Sequence, residues 1–262
     1  MSTSAVAGID VGTECVKAII LAEDMRVLGR AIVPTRGFFE DRVHEALTAC
    51  LDEAGVAKDD LAAIWATGFA SARATTASRV VGESACHAAG AFHHYAHAMT
   101  VIDIGGREPR VIHCDENGLH TDSHAVRRCA QGIGTFLMFA SRHLDVHPTR
   151  LEELAASAEE PATIGSYCSV FASSEILERL REGVGRAEIA LGCMHSIAER
   201  IYEIGGFAGP LVVTGGVAEY FPGVLRVLAA RTGLKVSAIP EPINAAALGA
   251  AILAWEAVHA GR

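Results

Sequence analysis

Ala5-Val-Ala-Gly-Ile-Asp-Val11 opens the chain with a short apolar run, and two further runs of strand length follow at 16–22 and 26–33, separated by turn-prone or charged residues. Together they predict a three-stranded meander. From Glu40 to Ala54 the period changes: Val43, Ala46, Leu47, Cys50, Leu51 and Ala54 recur at helical spacing, and Gly55 supplies a stop. A fourth strand is predicted at 61–67, closed by Gly68, then a helix of small residues at 83–96 and a strand at 100–104.

At that point the chain starts again. Ile9-Asp10-Val11-Gly12-Thr13 and Ile102-Asp103-Ile104-Gly105-Gly106 share the pattern Ile-Asp-(Val/Ile)-Gly-small, each at a strand end and each followed by another strand, at 16–22 and 110–114. An internal duplication of one lobe accounts for this economically. Further on, the pattern predicts a strand at 119–125, helices around 136–144, at 169–181 and at 187–204, the apolar strand 211–214, a helix over 219–231, a strand at 235–239 and a final helix at 244–258. Strands and helices mixed in this order predict an α/β architecture. Without a low-complexity linker, the expected division is a first lobe at 1–98, completed by the C-terminal helix at 244–262, and a second lobe at 99–243.

Composition sharpens this. The 262 residues exceed the usual size of one compact domain and suit two lobes. Half of the chain is apolar and a fifth is charged, which excludes an intrinsically disordered protein. The net charge is −9 and Lys/Arg are not densely clustered, so nucleic acid is not an expected partner. Apolar stretches stay short of 18 residues, and Met1-Ser-Thr-Ser lacks the basic and apolar regions of a leader; a cytoplasmic location with no membrane partner is expected. Seven cysteines, an odd number, are scattered through the chain and read as reduced thiols or metal ligands rather than disulfides.

The repeated strand end carries the candidate chemistry. Asp-x-Gly-(Thr/Gly) presents backbone N–H groups where no bulky side chain blocks a phosphate, and its carboxylate is a ligand for Mg²⁺ or its waters. One such turn is ordinary turn chemistry; two in matching contexts, at Asp10 and Asp103, are not. A third glycine element, Thr214-Gly215-Gly216-Val217, follows the strand at 211–214, where backbone can approach a ligand, although alone it reads as a tight turn. Neither a P-loop nor a dinucleotide fingerprint is present.

In this order the three elements resemble the nucleotide-binding scaffold of the actin, sugar kinase and Hsp70 superfamily. The resemblance implies two duplicated RNase H-like lobes with ATP in the cleft between them. It assigns Gly8–Thr13 with Lys17 to the first phosphate motif, Asp103, Gly105 and Gly106 to the second, and Thr214–Val217 to the adenosine motif. Asp10 and Asp103 become the catalytic, Mg²⁺-holding pair. Gly12, Thr13, Lys17, Gly105, Gly106, Thr214, Gly215, Gly216 and Val217 become the nucleotide contacts.

Cys129 and Cys168 each lie just ahead of a predicted helix, where a thiolate is favoured by the helix N-terminus. By spacing alone they fit two buried structural cysteines. Their segments, Arg128–Phe136 and Tyr167–Glu175, are however similar to the two cysteine motifs of the BadF/BadG/BcrA/BcrD ATPase family, and Ala66-Thr67-Gly68 and Cys86–Gly90 match it too. The resemblance implies a [4Fe-4S] cluster shared between two subunits, two thiolates from each, and ATP-driven movement of electrons onto a catalytic partner. It further implies a second ATPase-type subunit, homodimeric or related, catalytic reductase or dehydratase subunits, and reduced ferredoxin or flavodoxin as donor. Cys129-Ala-Gln-Gly, and Arg107 where activators commonly have Gln, point to the subunit of an ATP-dependent benzoyl-CoA reductase. The alternatives are the activator of a 2-hydroxyacyl-CoA dehydratase, a small-molecule kinase of the same fold without a cluster, and an actin-type assembly protein. Arg127-Arg128 reads as a solvated pair or a partner contact, and the acidic stretch at 152–160 as an exposed helix and turn.

Overall fold

The computed structural model describes residues 5–125, 132–165 and 169–260. Its elements run β1 (Ala5–Val11), β2 (Cys15–Leu21), β3 (Val27–Pro34), α1 (Phe39–Ala54), β4 (Leu61–Thr67), β5 (Arg79–Val80) and α2 (Glu83–Tyr95). Next come β6 (Met99–Asp103), β7 (Arg110–Cys114), β8 (His120–Ala125), α3 (Ile133–His143), α4 (Leu151–Ala155), α5 (Ser169–Arg181) and α6 (Arg186–Tyr202). The chain closes with β9 (Leu211–Thr214), α7 (Gly216–Tyr220), α8 (Pro222–Thr232), β10 (Val236–Ala238) and α9 (Ala245–His259). It divides into two compact units, one of residues 1–98, 114–121 and 244–262, the other of 99–113 and 122–243.

Each unit holds a five-stranded sheet, in the order β3-β2-β1-β4-β5 in one and β10-β9-β6-β7-β8 in the other. In the first sheet β2 runs antiparallel to both β1 and β3, while β4 is parallel to β1; in the second, β9 is parallel to β6 and to β10. The strand that carries Asp10 and the strand that carries Asp103 are each central to their sheet, with a parallel neighbour on one side. The two Asp-x-Gly turns therefore sit at the same place in two copies of one lobe, and the duplicated RNase H-like architecture is the fold.

The first unit shows why β1 reads as an unbroken apolar run. Residues alternate between the two faces of a strand. Ala5, Ala7, Ile9 and Val11 pack with Val43, Ala46, Leu47 and Cys50 of α1, whereas Val6 packs with Ala247, Leu248 and Ala251 of α9. Both faces are covered, so alternation disappears. Gly8 lies on the α9 side, where a Cβ would run into the Ala247 carbonyl and Ala251. Gly90 and Gly249 make the same allowance between α2 and α9, against the backbone of Ala245 and Cys86. The second unit has its own core, with Ile102, Ile104, Phe136, Leu137, Ile189, Ile197, Val213 and Leu228 all buried.

Three expectations changed. The single helix expected at 219–231 is two, because Pro222 drives the preceding residue out of helical conformation and Phe221 sits at φ −133°, ψ 61°. The helix expected at 136 begins at Ile133, right after Gly132. The acidic stretch is not simply exposed: Leu151 and Ala155 are buried, and Glu152 turns inward to accept the Gly223 N–H at 3.0 Å while pairing with Arg226 at 2.5 Å. A carboxylate there satisfies a free N–H in the first turn of α8. Glu152→Ala is expected to destabilise the protein by about 1–2 kcal/mol, seen as a lower urea midpoint at unchanged slope. Among the described residues no helix is long and apolar enough to cross a membrane.

Candidate functional site

In the first unit, β1 delivers Asp10 to the sheet's carboxyl edge, level with Lys17 on β2 and Thr67 on β4. Lys17 Nζ lies 2.9 Å from Asp10 Oδ2, both side chains nearly buried. Burial opposes the ammonium charge, yet the Asp10 carboxylate outweighs it and holds the Lys17 pKa above its ordinary value. A permanent cation thus stands beside the Gly12-Thr13 turn. Gly12 closes that turn by donating its N–H to the Cys15 carbonyl at 3.2 Å, and a Cβ on it would lie 2.8 Å from that oxygen and 3.0 Å from Lys17 Nζ. Thr13 is half-buried within the turn. Thr35, fully buried, donates its hydroxyl to the Gly12 carbonyl at 2.9 Å and braces the turn from β3's end.

The second unit repeats the arrangement. Asp103 ends β6 in register with Thr214 on β9, as Asp10 is with Thr67. In both units the Thr is followed by a left-handed glycine, Gly68 at φ +97° and Gly215 at φ +92°. A Cβ on Gly68 would strike Asp10 Oδ1; on Gly215 it would meet Asp103 Oδ1 at 2.9 Å and the Ile104 carbonyl at 2.5 Å. Thr-Gly therefore lets the neighbouring parallel strand's exit pass hard against the aspartate. Sequence reasoning singles out only the second of these two elements as a ligand motif. The signal for the first is nonetheless present, since Ala66-Thr67-Gly68 and Val213-Thr214-Gly215 end corresponding strands.

The glycines of the second unit divide by what they face. Gly215 is demanded by the fold. Gly105 and Gly216 are not: among the described residues a Cβ would find Asp103 Oδ1 at 3.8 Å and Ile243 Cδ1 at 3.7 Å as its nearest neighbours. Glycine there leaves space and bare backbone at the strand ends, a cradle that side chains would fill, and the residues fit a nucleotide. Val217 turns its side chain into the core and offers its N–H to the Ile104 carbonyl at 3.0 Å. Gly216→Val is accordingly expected to keep the melting temperature near wild type while weakening nucleotide binding in calorimetry; Gly215→Val is expected to destabilise the fold itself. Unchanged affinity in Gly216→Val would return the segment to a plain turn.

The Asp103–Gly106 turn is also tied to α3. Ile133 N–H donates to the Arg107 carbonyl at 3.0 Å, Gly134 N–H to the Gly105 carbonyl at 3.3 Å, and the Thr135 hydroxyl to the Gly106 carbonyl at 3.2 Å. A Cβ on Gly132 would run into the Gly106 carbonyl, so glycine permits the approach.

Arg127, Arg128, Cys129 and Cys168 lie outside the described residues. The described cysteines do not suit a thiolate-ligated cluster. Cys50, Cys86, Cys114 and Cys193 are buried, and burial pushes the thiols of Cys50, Cys86 and Cys193 up to about 12 and that of Cys114 to about 11. Burial also raises Cys15, against the pull of Lys17. Among the described residues no three His, Cys, Asp or Glu side chains gather as a metal site. Asp10 and Asp103 are hard oxygen donors of the kind that hold Mg²⁺ through one or two carboxylates, with phosphate and water completing the shell.

The model of the BadF/BadG/BcrA/BcrD ATPase family matches residues 7–254. The chain belongs to this family. Within it, the activator of lactoyl-CoA dehydratase from Anaerotignum propionicum is 34% identical over 96% of this chain and 98% of its own. Component A of (R)-2-hydroxyglutaryl-CoA dehydratase from Acidaminococcus fermentans superposes with TM-score 0.91 at 33% identity, covering 97% of this chain and 98% of its own. The activator of 2-hydroxyisocaproyl-CoA dehydratase from Clostridium difficile, solved with bound ADPNP, gives 0.89 at 26%, covering 98% and 96%. A benzoyl-CoA reductase subunit from Thauera aromatica is less similar than the lactoyl-CoA and 2-hydroxyglutaryl-CoA activators, 28% identical over 94% of this chain and 91% of its own. The preference drawn from Cys129-Ala-Gln-Gly thus gives way to the activators. A ROK-family glucokinase from Streptomyces griseus, TM-score 0.58 at 15% identity over 95% and 98%, shares the fold alone.

Proposed function

We propose that this ATPase is the activator of a 2-hydroxyacyl-CoA dehydratase. The observation that carries the reading is its end-to-end match to activators in both sequence and fold, against a lower identity to the reductase component. The first and second phosphate turns, with Lys17, take the polyphosphate, and Gly215-Gly216 takes the adenosine; that a related activator was solved with ADPNP supports nucleotide binding as such. Asp10 and Asp103 are the carboxylates that would hold Mg²⁺, and the ion would supply neutralisation of charge on the transferred phosphoryl group. Lys17 adds fixed positive charge that needs no reorganisation during the reaction. Water attacks the γ-phosphate, giving ADP and inorganic phosphate.

Cys129 and Cys168 ligate a [4Fe-4S] cluster completed by the same two cysteines of a second copy of the chain. Such a cluster would supply one-electron, low-potential chemistry, with reduced ferredoxin or flavodoxin as the donor. This chain's own contribution is mechanical: the hydrogen bonds that α3 donates, two from backbone N–H groups and one from the Thr135 hydroxyl, to the carbonyls of Gly105, Gly106 and Arg107 join the phosphate turn to the helix that follows Cys129. A change at the phosphates thereby reaches the cysteine segment and, through it, the dehydratase.

The test is reconstitution under strict anaerobiosis. Protein, ATP, Mg²⁺, reduced ferredoxin and an iron-sulfur 2-hydroxyacyl-CoA dehydratase are expected to give ATP-dependent dehydration. Failure there, combined with ATP-dependent reduction of benzoyl-CoA by partner reductase subunits, would overturn the activator reading.

A further inference from the structure

The second unit carries a cleft to which neither the Asp103–Gly106 turn nor Thr214–Val217 contributes a residue. Its volume is about 600 Å³, within the usual range of small-molecule sites, and it opens where the segment 161–164 lies alongside α6 and α8. Helical periodicity decides which side chains meet there. Gly192, His195, Ser196 and Glu199 fall on one narrow arc of α6. Arg226, Val227, Ala230 and Arg231 share one face of α8, with Val227 and Ala230 between the two arginines around the helix. The segment 161–164 is held in place by the Ala162 N–H, which donates to the Glu188 carbonyl at 2.8 Å, and Gly192 permits the approach, since a Cβ there would run into the Ala162 carbonyl.

Ala162, Ile164, Val227 and Ala230 make part of this lining apolar, while its charge is cationic. Both guanidiniums are fixed by carboxylates. Arg226 Nη2 donates to Glu152 Oε1 at 2.5 Å, and Glu152 also accepts the Gly223 N–H. Arg231 Nε donates to Glu199 Oε2 at 2.7 Å, its Nη2 pairs with the same oxygen, and its guanidinium lies 5.6 Å from the centre of the Tyr202 ring. A guanidinium has more N–H groups than these bonds use, so each arginine keeps donors for a ligand while its own side chain is already ordered. Burial and the Arg231 charge lower the His195 pKa, so at pH 7 it stands there as a neutral imidazole able to donate or accept. Two guanidiniums against the single carboxylate of Glu199 leave the lining with a net charge of +1, in a chain whose net charge is −9.

We infer that this cleft is a second ligand site, for an organic carboxylate with a hydrocarbon body. The planar fork of an arginine matches a carboxylate, and the apolar wall between the two arginines takes the body. An inorganic anion would leave that wall in water, and a neutral hydrocarbon would desolvate the arginines without pairing them. No residue of the nucleotide or cysteine elements enters the inference, which stands apart from the activator reading.

The test is calorimetry on the intact, anaerobically purified protein with 4-phenylbutyrate and octanoate as probes. Both are expected to bind saturably, and saturating ADP is expected to leave their affinity unchanged. 4-Phenylbutan-1-ol keeps the body without the carboxylate and acetate keeps the carboxylate alone; each is expected to bind about tenfold more weakly or worse. Arg231→Gln is expected to weaken 4-phenylbutyrate about tenfold by removing the charge-assisted bond, and Ala230→Trp to abolish binding by filling the cleft, with ATP turnover at the wild-type rate in both. Arg231→Gln, at an exposed rim position, decides the matter if Ala230→Trp does not fold. No saturable binding of either probe at millimolar concentration, equal affinity for the alcohol, displacement by ADP, or wild-type affinity in Arg231→Gln would overturn the inference and leave the activator reading in place.

Discussion

Cys168→Ser will lose its iron and its dimer together, whereas Cys193→Ala will keep both. On the proposed reading one chain offers two thiolates, at Cys129 and Cys168, and a [4Fe-4S] cluster takes four, so a second chain would complete the set. The structure strengthens the control: Cys193 lies fully buried in the core that holds Ile189, Ile197 and Phe136, its thiol pushed up to about 12 by burial, and it cannot serve as a reserve ligand. Ala is the better replacement there, because a Ser hydroxyl in that core would go unsatisfied. Iron per chain and anaerobic gel filtration read the result. A full cluster in Cys168→Ser, or a wild-type monomer carrying four irons, would end the shared-cluster reading.

The second large effect separates the two aspartates. On the proposed reading Asp103→Asn removes a Mg²⁺ ligand, and ATP turnover is expected to fall on the order of a hundredfold or more with iron content unchanged. Asp10→Asn is expected to do the same and also to destabilise the fold, because it strands the Lys17 ammonium, 2.9 Å away, as an unpaired buried charge. Breaking such a pair costs about 3–5 kcal/mol. The double variant Asp10→Asn/Lys17→Met restores much of the stability and none of the turnover. ATPase rates beside urea melts distinguish these outcomes, and wild-type turnover in Asp103→Asn would remove it from the site.

Much of the fold is legible in the sequence because the relevant physics is local. Apolar runs, helical period and stops at Gly55 and Gly68 place β1, α1 and β4 close to where the structure has them. The break at Pro222 carries its own signal, which an apolar period running across the proline overrides. The two residues of β5 carry none, since Arg79 and Val80 are exposed and without pattern; a strand that short exists only because β4 offers it a ladder. The duplication shows in two Asp-x-Gly strand ends, but the matching Thr-Gly pair needs the parallel register that sets Asp10 beside Thr67 and Asp103 beside Thr214.

By itself, then, the amino-acid order determined the α/β class, the repeat, the two matching Asp-x-Gly turns and the family. Each depends on residue type at short range, where backbone conformation and side-chain periodicity act. Tertiary structure alone decided which glycines serve the fold and which leave space for a ligand, because that depends on what a Cβ would meet from distant chain: Gly215 faces Ile104, and Gly216 faces open room. It also decided that Glu152 and Glu175, two carboxylates alike in sequence, hold backbone N–H groups at Gly223 and Gly165. A side chain's hydrogen-bond partner is set by the packing of whole elements, and no window of sequence contains it.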